Sequence, residues 1–505
     1  MTTSEHLDTS VIAATGFDVD TRQEAVIFIR KDAPVARSEG FAALSRVNAT
    51  ANGRSIHATL VFVGEALLRP GEAGLSNAAR RLLAVKNGEP VRLSHPPPVD
   101  SLAFVRRKIY GNKLGAEELQ GIVADIVAGR YMDVHLAAFI TACANDRLDR
   151  HEIVYLTEAM VVAGQRLSWS HSRIVDKHSV GGLPGNRTTP IIVPIVAAHG
   201  LCMPKTSSRA ITSPSGTADT METLAPVDLD LVMMRRVVEA EGGCIAWGGS
   251  VSLSPADDVL IRVERALDVD SEGQLIASIL SKKIAAGSTD VVIDMPIGPT
   301  AKVRSHASAK HLSALLCDVG AELGLNVEVL TSDGRQPVGR GIGPALEARD
   351  VLAVLQCEAD APRDLRDRAT RLAGALLETA GVAESGCGNA LAAQTIDDGR
   401  AWRKFVAICE AQGGLREPPH AAYHYDVFAQ RDGTVAAIDN RIVARVAKLA
   451  GAPADKAAGI SMNCRIGDRV TRGDVLMTIH AESPGELEYA LAFERTQPLG
   501  IELTE

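Results

Sequence analysis

Residues 176–190 read DKHSVGGLPGNRTTP, a short stretch rich in groups that bind anions. Lys177 brings a full positive charge and His178 a titratable imidazole, while Ser179, Thr188 and Thr189 bring hydroxyl donors. Gly181 and Gly182 let the backbone come close to a ligand, because no Cβ stands in the way. An extended start at Ile174-Val175 would lead in. A helix opened by Thr189 as N-cap and Pro190 as first helical residue would lead out. A helix N-terminus favours negative charge. The spacing is not the Walker loop GxxxxGK[ST], nor the dinucleotide fingerprint GxGxxG. The expected chemistry is oxyanion binding, most simply of phosphate. The plainer alternative is a polar strand-to-helix turn with an incidental Lys-His pair.

Two further clusters carry polar groups at useful spacings. Residues 204–224, PKTSSRAITSPSGTADTMETL, surround Arg209 with hydroxyls and set Asp219 and Glu222 at capping-box spacing. Such a turn can cap helices, or an Arg among hydroxyls can hold a second side of an anion. In residues 268–290, DVDSEGQLIASILSKKIAAGSTD, Ser278 and Lys282 lie four apart and share one helix face. A hydroxyl and an ammonium can read the carbonyl groups of a flat heterocycle. A solvated Lys on an amphipathic helix is the equal alternative from spacing alone.

Elements must hold these groups in place. At 505 residues the chain exceeds one core, and two to four domains are expected. Residues 1–95 read as β-rich, with runs such as EAVIFIRKD, SIHATLVFV and EPVRLS. HPPPVDS marks a boundary. From 101 to about 170, GAEELQGIVADIVAGR, DVHLAAFITACAND and DRHEIVYLTEAMVVAGQ repeat apolar residues at helical spacing. From 174 to about 410, strands such as VVIDMPI and NVEVLTS alternate with helices, as in a parallel or mixed sheet covered on its faces. From about 415 the chain returns to strands, read as a small β unit on the main domain.

Composition narrows the function classes. A hydrophobic content of 46% with 23% charge is that of an ordinary globular protein. The net charge of -9 argues against a nucleic-acid partner. No apolar run is long enough to span a bilayer, and MTTSEHLDTS lacks a signal segment, so a cytoplasmic protein away from membranes is expected. The eight cysteines form no CxxC pair and no zinc spacing; each is expected to be a small buried residue, and no metal site is expected.

The three clusters, in this order and spacing, resemble the thymidine and pyrimidine-nucleoside phosphorylase family from about residue 100 to the end. FVRRKIYGNKL, LSPADD and TSDGRQPVGRGIGPALEARDVL add to the resemblance. GNRTT, the SSRAITS stretch with SGTAD after it, and the extra β-rich N-terminal domain are similar to the long branch. That branch holds type 2 thymidine phosphorylases and AMP phosphorylases. The resemblance implies an α/β fold with a small all-helical domain and a large α/β domain with a mixed sheet, preceded by the β-rich domain. The implied boundaries are 1–95, then 100–173 with 250–288 for the helical domain. Residues 174–249 with 289–414 would form the phosphate-binding domain, and 415–505 its C-terminal α+β part.

The resemblance also implies roles. Lys177, Ser179, Gly182, Thr189 (or Thr188 one place earlier), Ser207 and Thr217 would hold the attacking phosphate. Ser278, Lys282 and Arg265 would contact the base. His178 would give a proton to a pyrimidine O2, its pKa lying near working pH. Asp270 would serve a purine N7. Lys302, Ser208, Arg209 and Ser213 would suit a 5′-phosphate. The implied reaction is phosphorolysis of the N-glycosidic bond of thymidine, or of a nucleoside 5′-monophosphate such as AMP. Phosphate would be a substrate, no cofactor is expected, and a homodimer or larger assembly is implied. An anthranilate phosphoribosyltransferase-like enzyme would need Mg²⁺ and an adjacent Asp-Glu pair, absent from these motifs. A non-catalytic assembly protein would be expected to lose the Lys177-His178-Ser179 set.

Overall fold

The structure, a computed structural model, describes residues 10–504 apart from 22, 23, 70, 211, 212, 252, 268, 270 and 497–499, and it leaves the side chain of residue 265 undescribed. Asp270 and the Arg265 side chain therefore lie outside the described residues. The chain divides into two compact units, one up to Ala142 and one from Cys143 on.

In the first unit, six strands close into a barrel. They are β1 (Val11–Gly16), β2 (Val26–Arg30), β3 (Arg46–Ala51), β4 (Arg54–Val63), β5 (Glu72–Leu75) and β6 (Pro90–Ser94). Their order is β1-β5-β2-β4-β3-β6, with β6 pairing back onto β1. Strict alternation drives this closure. Val47 and Ala49 of β3, with Ala58 and Leu60 of β4, point inward and are fully buried, while their neighbours face out. Two short helices accompany the barrel, α1 (Pro34–Glu39) and α2 (Asn77–Leu83). Ser76 caps the second by accepting from the Ala79 amide at 3.3 Å. After the prolines come α3 (Leu102–Ile109), α4 (Ala116–Val127) and α5 (Asp133–Cys143), in the stretch of helical apolar spacing.

The second unit opens with α6 (Arg150–Val162), started by a reciprocal box. Asp149 accepts from the Glu152 amide at 2.9 Å, and Glu152 accepts from the Asp149 amide at 3.1 Å. Strands β7 (Val175–Ser179), β8 (Met203–Ser207), β9 (Gly243–Trp247), β10 (Asp290–Ile297) and β11 (Asn326–Asp333) follow. β10 pairs in parallel with β7 and β11, and β8 pairs in parallel with β9. A parallel bridge between Ile174 and Cys202 sets β8 beside β7. All five strands thus run one way, in the order β11-β10-β7-β8-β9. Antiparallel pairing occurs in the barrel and in two C-terminal sheets.

Between these strands run α7 (Thr189–Ala197), α8 (Thr217–Glu222), α9 (Leu231–Glu241), α10 (Pro255–Leu267), α11 (Glu272–Ala285) and α12 (His306–Glu322). α7 is apolar all round and buried at every position, so it must sit inside layers rather than on a surface. It shares a core with β7, α13 (Pro344–Leu355), α14 (Arg363–Thr379) and α16 (Arg400–Gln412), the last preceded by α15 (Gly388–Asp397). The C-terminal sheets and two helices have a core of their own. Two expectations fail in detail. Cys357, just past the end of α13, and Cys387, just before α15, are exposed instead of buried. α8 begins at Thr217, so Asp219 and Glu222 lie inside it; Asp219 instead accepts from the Gly216 amide at 2.9 Å.

Candidate functional site

In an open parallel sheet, ligands settle at the carboxyl ends of the strands, where the strand order reverses. Here β8 and β9 lie on one side of β7, while β10 and β11 lie on the other. The reversal falls at β7, whose carboxyl end carries Lys177, His178 and Ser179. The loop after it turns on Gly181 and Gly182, at φ +94° and +80°. A Cβ on Gly182 would stand 2.6 Å from the Lys302 amide nitrogen, so only glycine allows these two segments to touch. Lys302, itself exposed, is thereby set beside the loop. Thr188 holds the N-cap position of the helix that follows, one residue earlier than expected, without a side-chain cap bond, and Thr189 is its first residue.

Hydroxyls converge on this end of the sheet. Ser207 ends β8, and its Oγ is buried without a partner; the Thr188 Oγ1 is in the same state. Buried hydroxyls left without bonds are costly, and an anion arriving among them would supply the missing acceptor. Ser179 instead donates to Asp294 Oδ2 at 3.2 Å, and Asn186 bonds the same oxygen at 2.8 Å. Arg187 braces the frame. It donates to Thr217 Oγ1 at 3.1 Å, to the Ser215 carbonyl at 2.9 Å and to Glu347 of α13. Thr217 keeps its own hydroxyl proton to give.

Charge is concentrated beneath. Lys177 is 3% exposed, and burial pushes its ammonium down to about 8 despite the attraction of Asp294. Burial pushes the Asp294 carboxyl up, but Lys177 and Arg368 more than offset this and hold it below its usual value. Asp176, also buried, sits 3.1 Å from the Lys205 Nζ and 2.7 Å from the Lys283 Nζ. The two lysines outweigh its burial and keep it ionised. His178 therefore sits in a field of ammoniums. Burial first, then Lys283, Lys205, Lys282 and Lys177, force its pKa well below 6.5. This corrects the expectation of an imidazole titrating near neutral pH. His178 is a neutral ring with one N–H to donate.

The remaining expected residues divide. Ser278 and Lys282 lie on α11, and Lys282 pairs with the buried Asp257 at 2.5 Å and acts electrostatically on His178. Arg209 does not have its guanidinium open for an anion. Glu222 takes it through two bonds at 2.8 and 2.9 Å, Asp219 and Asp228 stand close by, and it stacks on Trp247. Three carboxylates on one guanidinium leave no room for a fourth negative group. Ser213 donates to the Ser215 carbonyl at 2.8 Å, and Ser208 is exposed just past β8. Sequence reasoning missed Asp176, Asn186, Arg187, Asp294 and Glu347. A signal existed for Asp294. A carboxylate inside an otherwise apolar β run must be buried when both sheet faces are covered, and a buried carboxylate needs a cation.

Comparison with known proteins agrees with this architecture. Residues 102–164 match the glycosyl transferase family helical bundle domain, and 171–402 match the glycosyl transferase family a/b domain. Residues 434–496 match the pyrimidine nucleoside phosphorylase C-terminal domain. A relative in Acidovorax sp. (strain JS42), named "Putative thymidine phosphorylase 2", is 60% identical over 96% of this chain and 95% of its own length. One in Chelativorans sp. (strain BNC1), with the same name lacking the numeral, is 61% identical over 94% of this chain and 93% of its own. Among solved structures, anthranilate phosphoribosyltransferase from Thermus thermophilus superposes with a TM-score of 0.51 at 23% identity. It covers 61% of this chain and 98% of its own. The Saccharomyces cerevisiae enzyme gives 0.50 at 14%, covering 62% and 98%. At those identities the likeness is one of fold alone. Fold and relatives together define a pentosyltransferase. The chain belongs to the thymidine and pyrimidine-nucleoside phosphorylase family, and it is a nucleoside phosphorylase. Among the described residues, no helix is long and apolar enough to cross a membrane.

Proposed function

We propose that the protein catalyses reversible phosphorolysis of thymidine, releasing thymine and 2-deoxyribose 1-phosphate. The observation that carries this reading is the pair of buried, unpartnered hydroxyls on Thr188, after β7, and Ser207, at the end of β8, together with the buried Lys177 on β7. Phosphate is held by Lys177, Ser179, Thr188 or Thr189, Ser207 and Thr217, with Gly182 letting the loop close on it. A phosphate oxygen forms the new bond to C1′ as the C1′–N bond breaks, and the bonding pair leaves with the base. Lys282 and Ser278 orient the base. His178, neutral, donates a hydrogen bond to the base oxygen where negative charge gathers. It does not surrender its proton, because that would leave an imidazolate; the departing base anion takes up the proton that hydrogen phosphate gives up as its ester to C1′ forms, passed directly or through solvent. Preorganised donors of this kind are the largest expected source of rate. No cofactor enters the scheme, and a dimeric or larger cytoplasmic enzyme belongs to the same reading.

Lys302 favours a second reading, phosphorolysis of a nucleoside 5′-monophosphate such as AMP. It stands at the Gly182 loop, where a 5′-phosphate would need a cation. Phosphate-dependent release of free base from thymidine, uridine, AMP and CMP, measured side by side, separates the two. Thymine release with silent monophosphates supports the first reading. Release from the monophosphates alone overturns it and assigns Lys302 to the 5′-phosphate.

A further inference from the structure

The unit that ends at Ala142 contains a cavity of about 520 Å³, lined among others by Arg46, His57, His95, Arg130, Met132 and His135. Its volume falls among those of small-ligand sites, roughly 300–1,000 Å³. The barrel accounts for half of the wall. Arg46 pairs with Thr59, and Asn48 with His57, across the β3–β4 ladder. Val47 and Ala58, the alternating neighbours, are fully buried inside, so Arg46 and His57 stand on the outer face. The proline-rich segment gives His95, Pro96 and Val99, and the turn between α4 and α5 with the start of α5 gives Arg130, Met132 and His135. Arg46 reaches over to bond the Gly129 carbonyl, and Arg130 and His135 follow in the chain.

Two donors in this wall have nothing to bond. The Nε atoms of Arg46 and Arg130 are buried without a hydrogen-bond partner. Arg46 engages Glu24 and Thr59 through Nη1 and the Gly129 carbonyl through Nη2, and Arg130 engages Asp125 through Nη1 at 2.8 Å. Glu24 and Asp125 offset formal charge, yet the field at the imidazoles stays positive. Burial and then Arg130 and Arg46 hold His57 below its usual pKa against the pull of Asp125. Burial and Arg46 do the same to His135. Of the remaining wall residues, Leu44, Val99 and Met132 are apolar. Three imidazoles at one cavity would first suggest a metal. Among the described residues, however, no three His, Cys, Asp or Glu side chains are placed to hold one.

We propose that this cavity binds a phosphorylated small molecule, with its phosphate on Arg46, Arg130 and His57 and its carbon skeleton against Leu44, Val99 and Met132. The two guanidinium groups, each with a hydrogen-bond donor to spare, give a phosphate the charge-assisted contacts it favours. The inference stands apart from the catalytic reading, since it uses none of the same residues.

Calorimetric titration of the full chain tests it, with ribose 5-phosphate and inorganic phosphate as probes. The proteins are the unaltered chain, Arg130→Gln, His57→Gln and Lys177→Ala, the last removing the cation of the catalytic site. Ribose 5-phosphate binding is expected to survive in Lys177→Ala and to weaken about tenfold or more in each of the other two. The His57 and His135 imidazole signals of labelled protein should move with the same titration. Binding abolished by Lys177→Ala, or untouched by both cavity substitutions, overturns the proposal. Equal affinity for inorganic phosphate overturns the part played by the apolar wall. Should Arg130→Gln fail to fold, as judged by melting, His57→Gln and the imidazole signals decide alone.

Discussion

A lysine buried to 3% exposure holds its charge at a cost unless something negative comes to it. Lys177, lowered from 10.5 to about 8, bears that cost, which the proposed phosphate would relieve. Without phosphate, the folded chain gives up this proton near pH 8, while the unfolded chain keeps it until 10.5. Stability of the phosphate-free protein should therefore rise with pH across that window, relative to Lys177→Met. Phosphate binding reverses the preference. KM for phosphate should climb roughly tenfold per pH unit above about 8, where only one proton is at stake. Initial rates across the range from about pH 6 to about pH 10 check this, and a flat KM would detach Lys177 from the anion. His178 makes a separate prediction. As a neutral donor it is replaceable in kind, so His178→Gln should retain far more kcat than His178→Ala. The latter should lose about a hundred- to a thousand-fold. Steady-state kinetics at saturating phosphate separates the two. The loop around Lys177 and His178 was legible as a candidate anion site from residue type and the glycines after them. The neutrality of His178 was not, because burial and the lysines of β8 and α11 that enforce it come from elements remote in the chain.

At the scale of elements, the site depends on backbones that touch. Gly185, at φ +71°, would place a Cβ 2.0 Å from the Val338 carbonyl oxygen. Gly182 would place one 2.6 Å from the Lys302 amide, and neither obstacle is a flexible side chain. Gly200 shares the left-handed backbone, φ +77°, but faces open space. Substitution by Ala should cost about 1 kcal/mol at Gly200. At Gly185 it should cost about 1–3 kcal/mol more, through the forced separation of two segments. Gly182→Ala should also weaken phosphate binding. Denaturant melts with a phosphate titration would show it, and equal costs at the three positions would refute the close-contact argument. Helix periodicity around 115–165 and the apolar runs of β10 and β11 made those elements readable. The barrel closure was not readable. β1 and β5 are short, rich in Ala and Gly, and pair in parallel across roughly 60 residues, a relation no local pattern encodes.

For the whole molecule, separate apolar cores matter most. The barrel, the α/β sheet with its helices, and the C-terminal sheets each bury their own cluster. Chains with several cores commonly unfold in more than one step. Scanning calorimetry should resolve at least two transitions. Phosphate should raise the one belonging to the α/β core and leave the barrel's in place, as ligands stabilise only what they bind. A single cooperative transition would contradict the independence of these cores.

The parallel strand order carries a consequence for how the enzyme comes into being. Arg187 meets Glu347 across 160 residues, and Ser179 meets Asp294 across 115. No contiguous fragment of modest length can assemble that neighbourhood. Loop closure over such spans is slow compared with helix formation. Helices would accumulate early as the chain refolds from denaturant, while the ability to split a nucleoside returns only after the last strand has docked. Recovered turnover is thus a clock for the completed topology, and it should lag the recovery of ellipticity.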